Sequence, residues 1–208
     1  MDKQELAEQI KKKIEEYTTD HENWKVVKKG KDVTVYCRSS TEFQGNIYKA
    51  EGTVDAKPEK VFEYVEPKPD GLRPKWDKAI KAVDTIEKIE EGLSVMRTCT
   101  HSAAMGLISP RDFLDLCLTV KNENSICTVA GSIEHPDCPV EPKYVRGTNH
   151  PCGICCFRID GEPDKTLVVH ICQADLGGML PTQLVETALP GNMIEFFSNL
   201  RQAIANAS

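Results

Sequence analysis

The strongest constraint in this sequence is the stretch from residue 83 to residue 175. Its hydrophobic period is mostly two and its connections are short. Candidate strands follow one another at 83–89, 93–100, 112–120, 126–133, 144–148, 154–159 and 167–175. Glu90-Glu91-Gly92 and Glu123-Asn124 read as tight turns between them. Strands joined by such turns pair antiparallel, because a parallel return needs a long crossover. Upstream, WKVVKKGKDVTVYCR reads as a hairpin turning at Lys29-Gly30-Lys31, and residues 46–54 alternate as another strand. One sheet of about nine strands has to curl.

The helices fall at the two ends and in one gap. Leu6, Ile10, Ile14 and Tyr17 sit at helical spacing among charges, which predicts an amphipathic helix over 3–18. A short helix is expected after Asp55, with Val61, Phe62 and Val65 on its buried side, ended by Pro67 and Pro69. The chain closes with a broad apolar face of Leu189, Met193, Phe196, Phe197, Leu200 and Ile204. Pro190-Gly191 predicts a kink or break in that last helix. A terminal helix laid along the concave side of a curled sheet closes it and leaves a cavity. The fold class is α+β, in a single domain over residues 1–208.

Composition narrows the function. A net charge of −6 argues against nucleic acid, whose phosphates need a basic field. Nothing approaches a membrane-spanning length of apolar residues, and residues 1–17 lack the apolar centre of a signal peptide. A cytoplasmic monomer with free thiols is expected, although the chain carries 9 cysteines.

One segment resists the strand reading. In HSAAMGLISPRDF an apolar loop, 103–109, runs into a proline and an Arg-Asp pair. Together with VRGTNHPCG at 145–153, GLRPKWD at 71–77 and ADLGGMLP at 174–181, it resembles the START domain, the lipid-transfer family named for the steroidogenic acute regulatory protein. The likeness runs in order over about residues 20 to 204. Within the family the chain is similar to small cytosolic members that carry cholesterol or bile acids, and EHPDCP at 134–139 leans toward the bile-acid side.

That resemblance implies a helix-grip fold: a curved antiparallel sheet of about nine strands, one sterol-like lipid in an internal tunnel, and the C-terminal helix as lid. It implies transfer of cholesterol, an oxysterol or a bile acid between membranes, with no catalysis and no cofactor. It also places the 103–109 loop at the tunnel mouth, where Met105, Leu107 and Ile108 meet the lipid or, transiently, a membrane surface. Leu189, Met193 and Phe197 of the lid helix are expected against the ligand. Arg73, beside Trp76, is the candidate partner for a carboxylate or hydroxyl. Steroid-carrying relatives pair an acidic residue with an arginine at the positions of Thr98 and Cys117. This chain lacks the pair, which leaves Thr98, Cys117 and Thr128 as neutral contacts. Periodicity alone would turn Leu114, Leu116 and Leu118 inward; the resemblance turns Cys117 inward instead.

Three rival readings stand beside this one. His150, Cys152, Cys155 and Cys156 have spacings that suit zinc, but no second matching pair supplies the remaining ligands. An enzyme in the same fold could use His170 with Cys172, or Asp115 with His150, yet no nucleophile elbow or phosphate loop accompanies them. A lipid sensor or scaffold is the third. Arg111-Asp112 reads as structural, an anchor holding a loop through backbone carbonyls.

Overall fold

The computed structural model describes residues 2–207. In chain order it contains α1 (Lys3–Thr19), β1 (Lys25–Gly30), β2 (Val33–Ser39), β3 (Asn46–Val54), α2 (Pro58–Val65) and a single-turn α3 (Arg73–Trp76). There follow β4 (Ile80–Glu90), β5 (Leu93–Thr100), β6 (Arg111–Lys121), β7 (Ser125–Ser132), β8 (Val145–Arg146), β9 (Thr148–Asn149), β10 (Cys152–Ile159), β11 (Glu162–Cys172), β12 (Ala174–Asp175) and α4 (Thr182–Asn206). Nine strands pair antiparallel in the order β1-β2-β3-β11-β10-β7-β6-β5-β4. β8 joins β6 in parallel, and β9 pairs with β12. This is the α+β helix-grip arrangement.

Both faces of the sheet are covered. On the outer face α1 lays Ile10, Ile14 and Tyr17 against Cys127, Val129, Cys155, Val169 and Ile171. The Lys49 ammonium, buried in β3, donates to the carbonyl of Asp20 at 2.8 Å and so fixes the end of that helix. On the inner face Met193, Phe196, Phe197, Leu200 and Ile204 of α4 pack with α2 and with β2, β3, β10 and β11. Close approach needs glycine on each side. A Cβ at Gly52 would lie 2.8 Å from the Phe197 ring, and one at Gly131 would lie 2.8 Å from Ile10. The two sheet edges are blunted. β1 carries Lys25, Lys28 and Lys29, while β4 slips register three times against β5.

The sequence reading needs three corrections, and on β6 its resemblance-based direction holds over the one periodicity gave. The segment 144–148 is not one strand but two two-residue strands separated by Gly147. Any Cβ at Gly147 would meet the Phe113 ring at 2.3 Å, so the chain turns there against β6. The last strand starts earlier, at Glu162, and stops at Cys172 before a separate β12. α4 runs unbroken through Pro190, so the expected break is absent. Its packing against the sheet outweighs the missing N–H and the crowding of one turn. Lastly, Leu114 and Leu116 face outward with Ala7, Leu93 and Val95, while Cys117 faces inward with Val83 and Met96. Periodicity misleads here because α1 makes the outer face a core of its own.

Polar residues fasten the strand entrances. Asp112, with no exposed surface, accepts from Arg97 Nε at 2.8 Å and from Arg146 Nε and Nη2, each at 2.9 Å. Burial alone would raise its carboxyl, but the two guanidiniums hold it below the ordinary range. Among the described residues Arg111 has no carboxylate partner. It donates to the carbonyls of Ser109, Leu176 and Gly177, tying the 103–109 loop to the segment before α4. Asp115 accepts from Ser132 Oγ and Asn149 Nδ2, both at 2.8 Å, and joins β6 to β7 and β9.

Two outcomes follow from these pins. Asp112→Ala strands two arginines in the interior and should cost about 3–5 kcal/mol in urea unfolding. Burial pushes the Asp115 carboxyl up to about 6, against the pull of Asn149, Ser132 and Arg146. The folded protein therefore keeps that proton to higher pH than the unfolded chain. The stabilisation is full below about pH 4 and is lost as the pH rises through about 6, roughly 3 kcal/mol in all. Carboxyl-carbon NMR of Asp115 should give a midpoint near 6; a midpoint below 4 would contradict this account.

Candidate functional site

The inner face carries a group of polar side chains that α4 and α2 do not fill. β11 contributes His170 and Cys172, β10 contributes Cys152 and β6 contributes Cys117, all fully enclosed by protein. His170, Cys152 and Cys172 nevertheless keep accessible surface. Accessible surface on an enclosed residue is the wall of a void.

The chemistry of this space is set by dryness and one cation. Burial pushes the Cys172 thiol up to about 11 and raises those of Cys117 and Cys152 further. Burial first, and the Arg73 charge second, pull His170 down to about 3. At neutral pH the thiols are therefore protonated and the imidazole is uncharged. Its Nδ1 is sealed without a hydrogen-bond partner, while Nε2 is not sealed. The ring leans on Phe196 at 4.7 Å.

Arg73 is the first residue of α3, with Pro74 in the same turn. Its guanidinium lies 5.7 Å from the Phe196 ring on which His170 leans, and its charge acts on Cys117, Cys152, His170 and Cys172 alike. Nε donates to Asp77 at 3.2 Å and Nη1 to the carbonyl of Val65 at 3.3 Å. Among the described residues Nη2 has no hydrogen-bond partner, and it is not among the sealed orphans. The guanidinium is thus held in place with one edge to spare. Trp76 is fixed beside it, its Nε1 donating to the Tyr64 carbonyl at 2.9 Å and its ring edge-on to Phe196 at 5.2 Å.

The other expected contacts fall into separate groups. Thr98 faces inward on β5 opposite Val83, and Thr128 inward on β7 opposite Ile154, so both join Cys117 and Arg73 around the void. Met193 and Phe197 lie in closed core, Phe197 with no exposed surface, and Leu189 is only partly covered. On the loop, Ile108 is buried whereas Met105 and Leu107 stand in solvent. Near them a cleft of about 120 Å³ opens between residues 43–48, residues 174–180 and the first half of α4. Tyr48 and Leu189 line that cleft and also belong to the core beneath α4.

Of the rival sites, His170 and Cys172 share the inner face of β11, whereas the other two sets do not assemble. Asp115 is engaged by Ser132 and Asn149, while the His150 ring stacks on Phe43 at 4.5 Å. Cys152 faces the void and Cys155 the underside of α1, so the Cys-x-x-Cys spacing within one strand puts its thiols on opposite sides. His170 was legible only as a hypothetical base beside Cys172. The signal for its inward place was that it is the single histidine on the inward alternation Val168, His170, Cys172.

Comparison with known proteins accounts for this architecture. The START domain profile matches residues 4–208. Human StAR-related lipid transfer protein 5 is 43% identical over 201 residues, covering 96% of this chain and 94% of that protein. Human StAR-related lipid transfer protein 4 is 35% identical over 191 residues, covering 92% and 91%. The solved structure of human StAR-related lipid transfer protein 5 superposes with a TM-score of 0.94 at 41% identity, covering 98% of this chain and 97% of that one. The chain belongs to the START domain family.

Proposed function

We propose that this protein is a cytosolic, monomeric lipid-transfer protein that binds one sterol-like molecule in the inner void and moves it between membranes without altering it. The observation that carries the reading is the Arg73 guanidinium, fixed by Asp77 and Val65 with Nη2 left free beside an otherwise neutral, apolar space. A steroid ring system fills such a space, and each methylene kept from water contributes about 0.8 kcal/mol. A free guanidinium edge suits a carboxylate, as in a bile acid, more than the lone hydroxyl of cholesterol. Thr98, Thr128 and the protonated thiols of Cys117, Cys152 and Cys172 offer only weak neutral contacts, and His170 offers a neutral nitrogen. Names of relatives support transport rather than chemistry: the two human proteins above are called lipid transfer proteins.

The entry route in this proposal is the mouth beside the 103–109 loop. Met105 and Leu107 are exposed there, as is Met179 on the segment that Arg111 ties to the same loop. Ala104 and Met105 both take left-handed backbone angles, φ 50° and 55°, a conformation costly for side chains other than glycine. The turn holds Met105 outward where a membrane surface can receive it. Trp76, Leu189, Met193 and Phe197 then act as wall and lid.

Arg73→Ala should weaken bile-acid binding at least tenfold and leave binding of a fluorescent sterol nearly unchanged, read by titration with NMR or Trp emission. Equal loss for both ligands would remove Arg73 from the role of anion partner. For the mouth, Met105→Asp combined with Leu107→Asp should slow transfer of ligand between vesicles severalfold while equilibrium binding stays within a factor of about two, since neither side chain is in the core. Unchanged transfer would place membrane contact elsewhere.

A further inference from the structure

Cys127 on β7 and Cys155 on β10 are direct partners in the antiparallel register, and both face outward beneath α1. Among the described strands no other two cysteines are paired in this way. Directly opposed residues of an antiparallel pair have Cα atoms about 4.5–5.5 Å apart, which lies within the span a disulfide bridges without moving the backbone. The two thiols lie close enough for each to perturb the other. They also line a groove of about 130 Å³ between α1 and the sheet, walled by Ile14, Val120, Val129 and Phe157 with Lys11 and Glu15 along the helix side.

We propose that Cys127 and Cys155 form a thiol-oxidation site on the outer wall, converted by a hydroperoxide into a reversible cross-strand disulfide. The Cys127 sulfur attacks the outer oxygen of ROOH. The O–O bond breaks, Cys127 becomes a sulfenic acid and ROH leaves. The Cys155 sulfur then attacks that sulfenic sulfur, the S–S bond forms and water departs. Two thiols are oxidised and one hydroperoxide is reduced to alcohol and water, so protons and electrons balance. Two thiols reverse the step by exchange.

The order of attack follows from the surroundings. Cys127 keeps 7% of its surface accessible and Cys155 2%, so a hydroperoxide entering the groove meets the Cys127 sulfur first. The inward thiols, Cys37, Cys117, Cys152, Cys156 and Cys172, are raised by burial and have no cysteine opposite. This site lies on the opposite face of the sheet from the ligand void, so it does not depend on the proposed lipid.

The test is peroxide treatment of the folded full chain, then alkylation and peptide mass spectrometry. Exposed Met105 and Met179 serve as internal dose markers. A peptide pair joined through Cys127 and Cys155, separated again by dithiothreitol, is the expected result. Both thiols staying alkylatable once those methionines are oxidised would overturn the proposal, as would a disulfide joining any other cysteines. In Cys155→Ser a dimedone adduct should collect on Cys127, whereas Cys127→Ser should give little on Cys155; the reverse pattern overturns the assigned order. Wild-type mapping stands even if either variant folds poorly.

Discussion

A curled sheet whose two faces are both apolar must be covered twice, and most of this structure follows from how that is done. Outside, α1 suffices because the strands there present a convex surface and small residues such as Gly131 and Cys155 admit its side chains. Inside, the concave surface is larger than α4 and α2 can fill. α4 seats Phe197 over Gly52 and closes the β2–β3–β11 side. The β5–β6 side, where Met96, Cys117 and Thr98 face inward, is left without a helix of its own. The void is the part of the concavity that the covering helices do not reach.

Charge placement follows from the same geometry. Four arginines enter or approach the interior, and the fold treats them in three ways. Arg97 and Arg146 converge on Asp112, and Glu141 on Arg97 supplies the second negative charge that neutralises the group. Among the described residues Arg111 has no carboxylate, and it distributes its donors over carbonyls of two loops. Arg73 has one carboxylate, Asp77, and keeps an unused edge. Placing a full positive charge beside protonated thiols and a neutral imidazole makes an electrostatic minimum for an anion inside an apolar container. The proposed bile-acid ligand, with one charged end and a long apolar body, satisfies both conditions.

Local pattern carried much of this into the sequence. The α1 stripe, the hairpin at Gly30 and the turns at Gly92 and Glu123-Asn124 are dictated by neighbours in the chain. The motif around Arg73 was legible for the same reason, a proline-bounded turn with an arginine and a tryptophan. What local pattern could not carry was register and cover. The inward direction of Cys117 depends on α1 burying Leu114 and Leu116 from outside, which β6 itself does not announce. The pairing of Cys127 with Cys155 depends on β7 lying beside β10, across 28 positions of chain, while the visible Cys-x-x-Cys motif is split by strand alternation. The continuity of α4 through Pro190 was hidden because its tertiary packing, not its own propensity, sustains the helix.

The loop at the mouth shows how cover and charge meet. Left to itself, a segment with two consecutive left-handed non-glycine residues would relax, since each costs roughly 1–2 kcal/mol. Buried Ile108 anchors one side of the turn through its paired contact with Ala103. Arg111 anchors the base, and because its partners are carbonyls rather than a carboxylate, the tie is made of individually replaceable hydrogen bonds. Such a tie can open one loop from the other without leaving a buried carboxylate bare. A salt bridge of the Asp112 kind at this position would resist opening by several kcal/mol. Under the proposed entry route, the uncharged character of Arg111's partners lets the mouth be shaped without a buried ion pair to break, while the Asp112 cluster a residue away keeps β6 fixed.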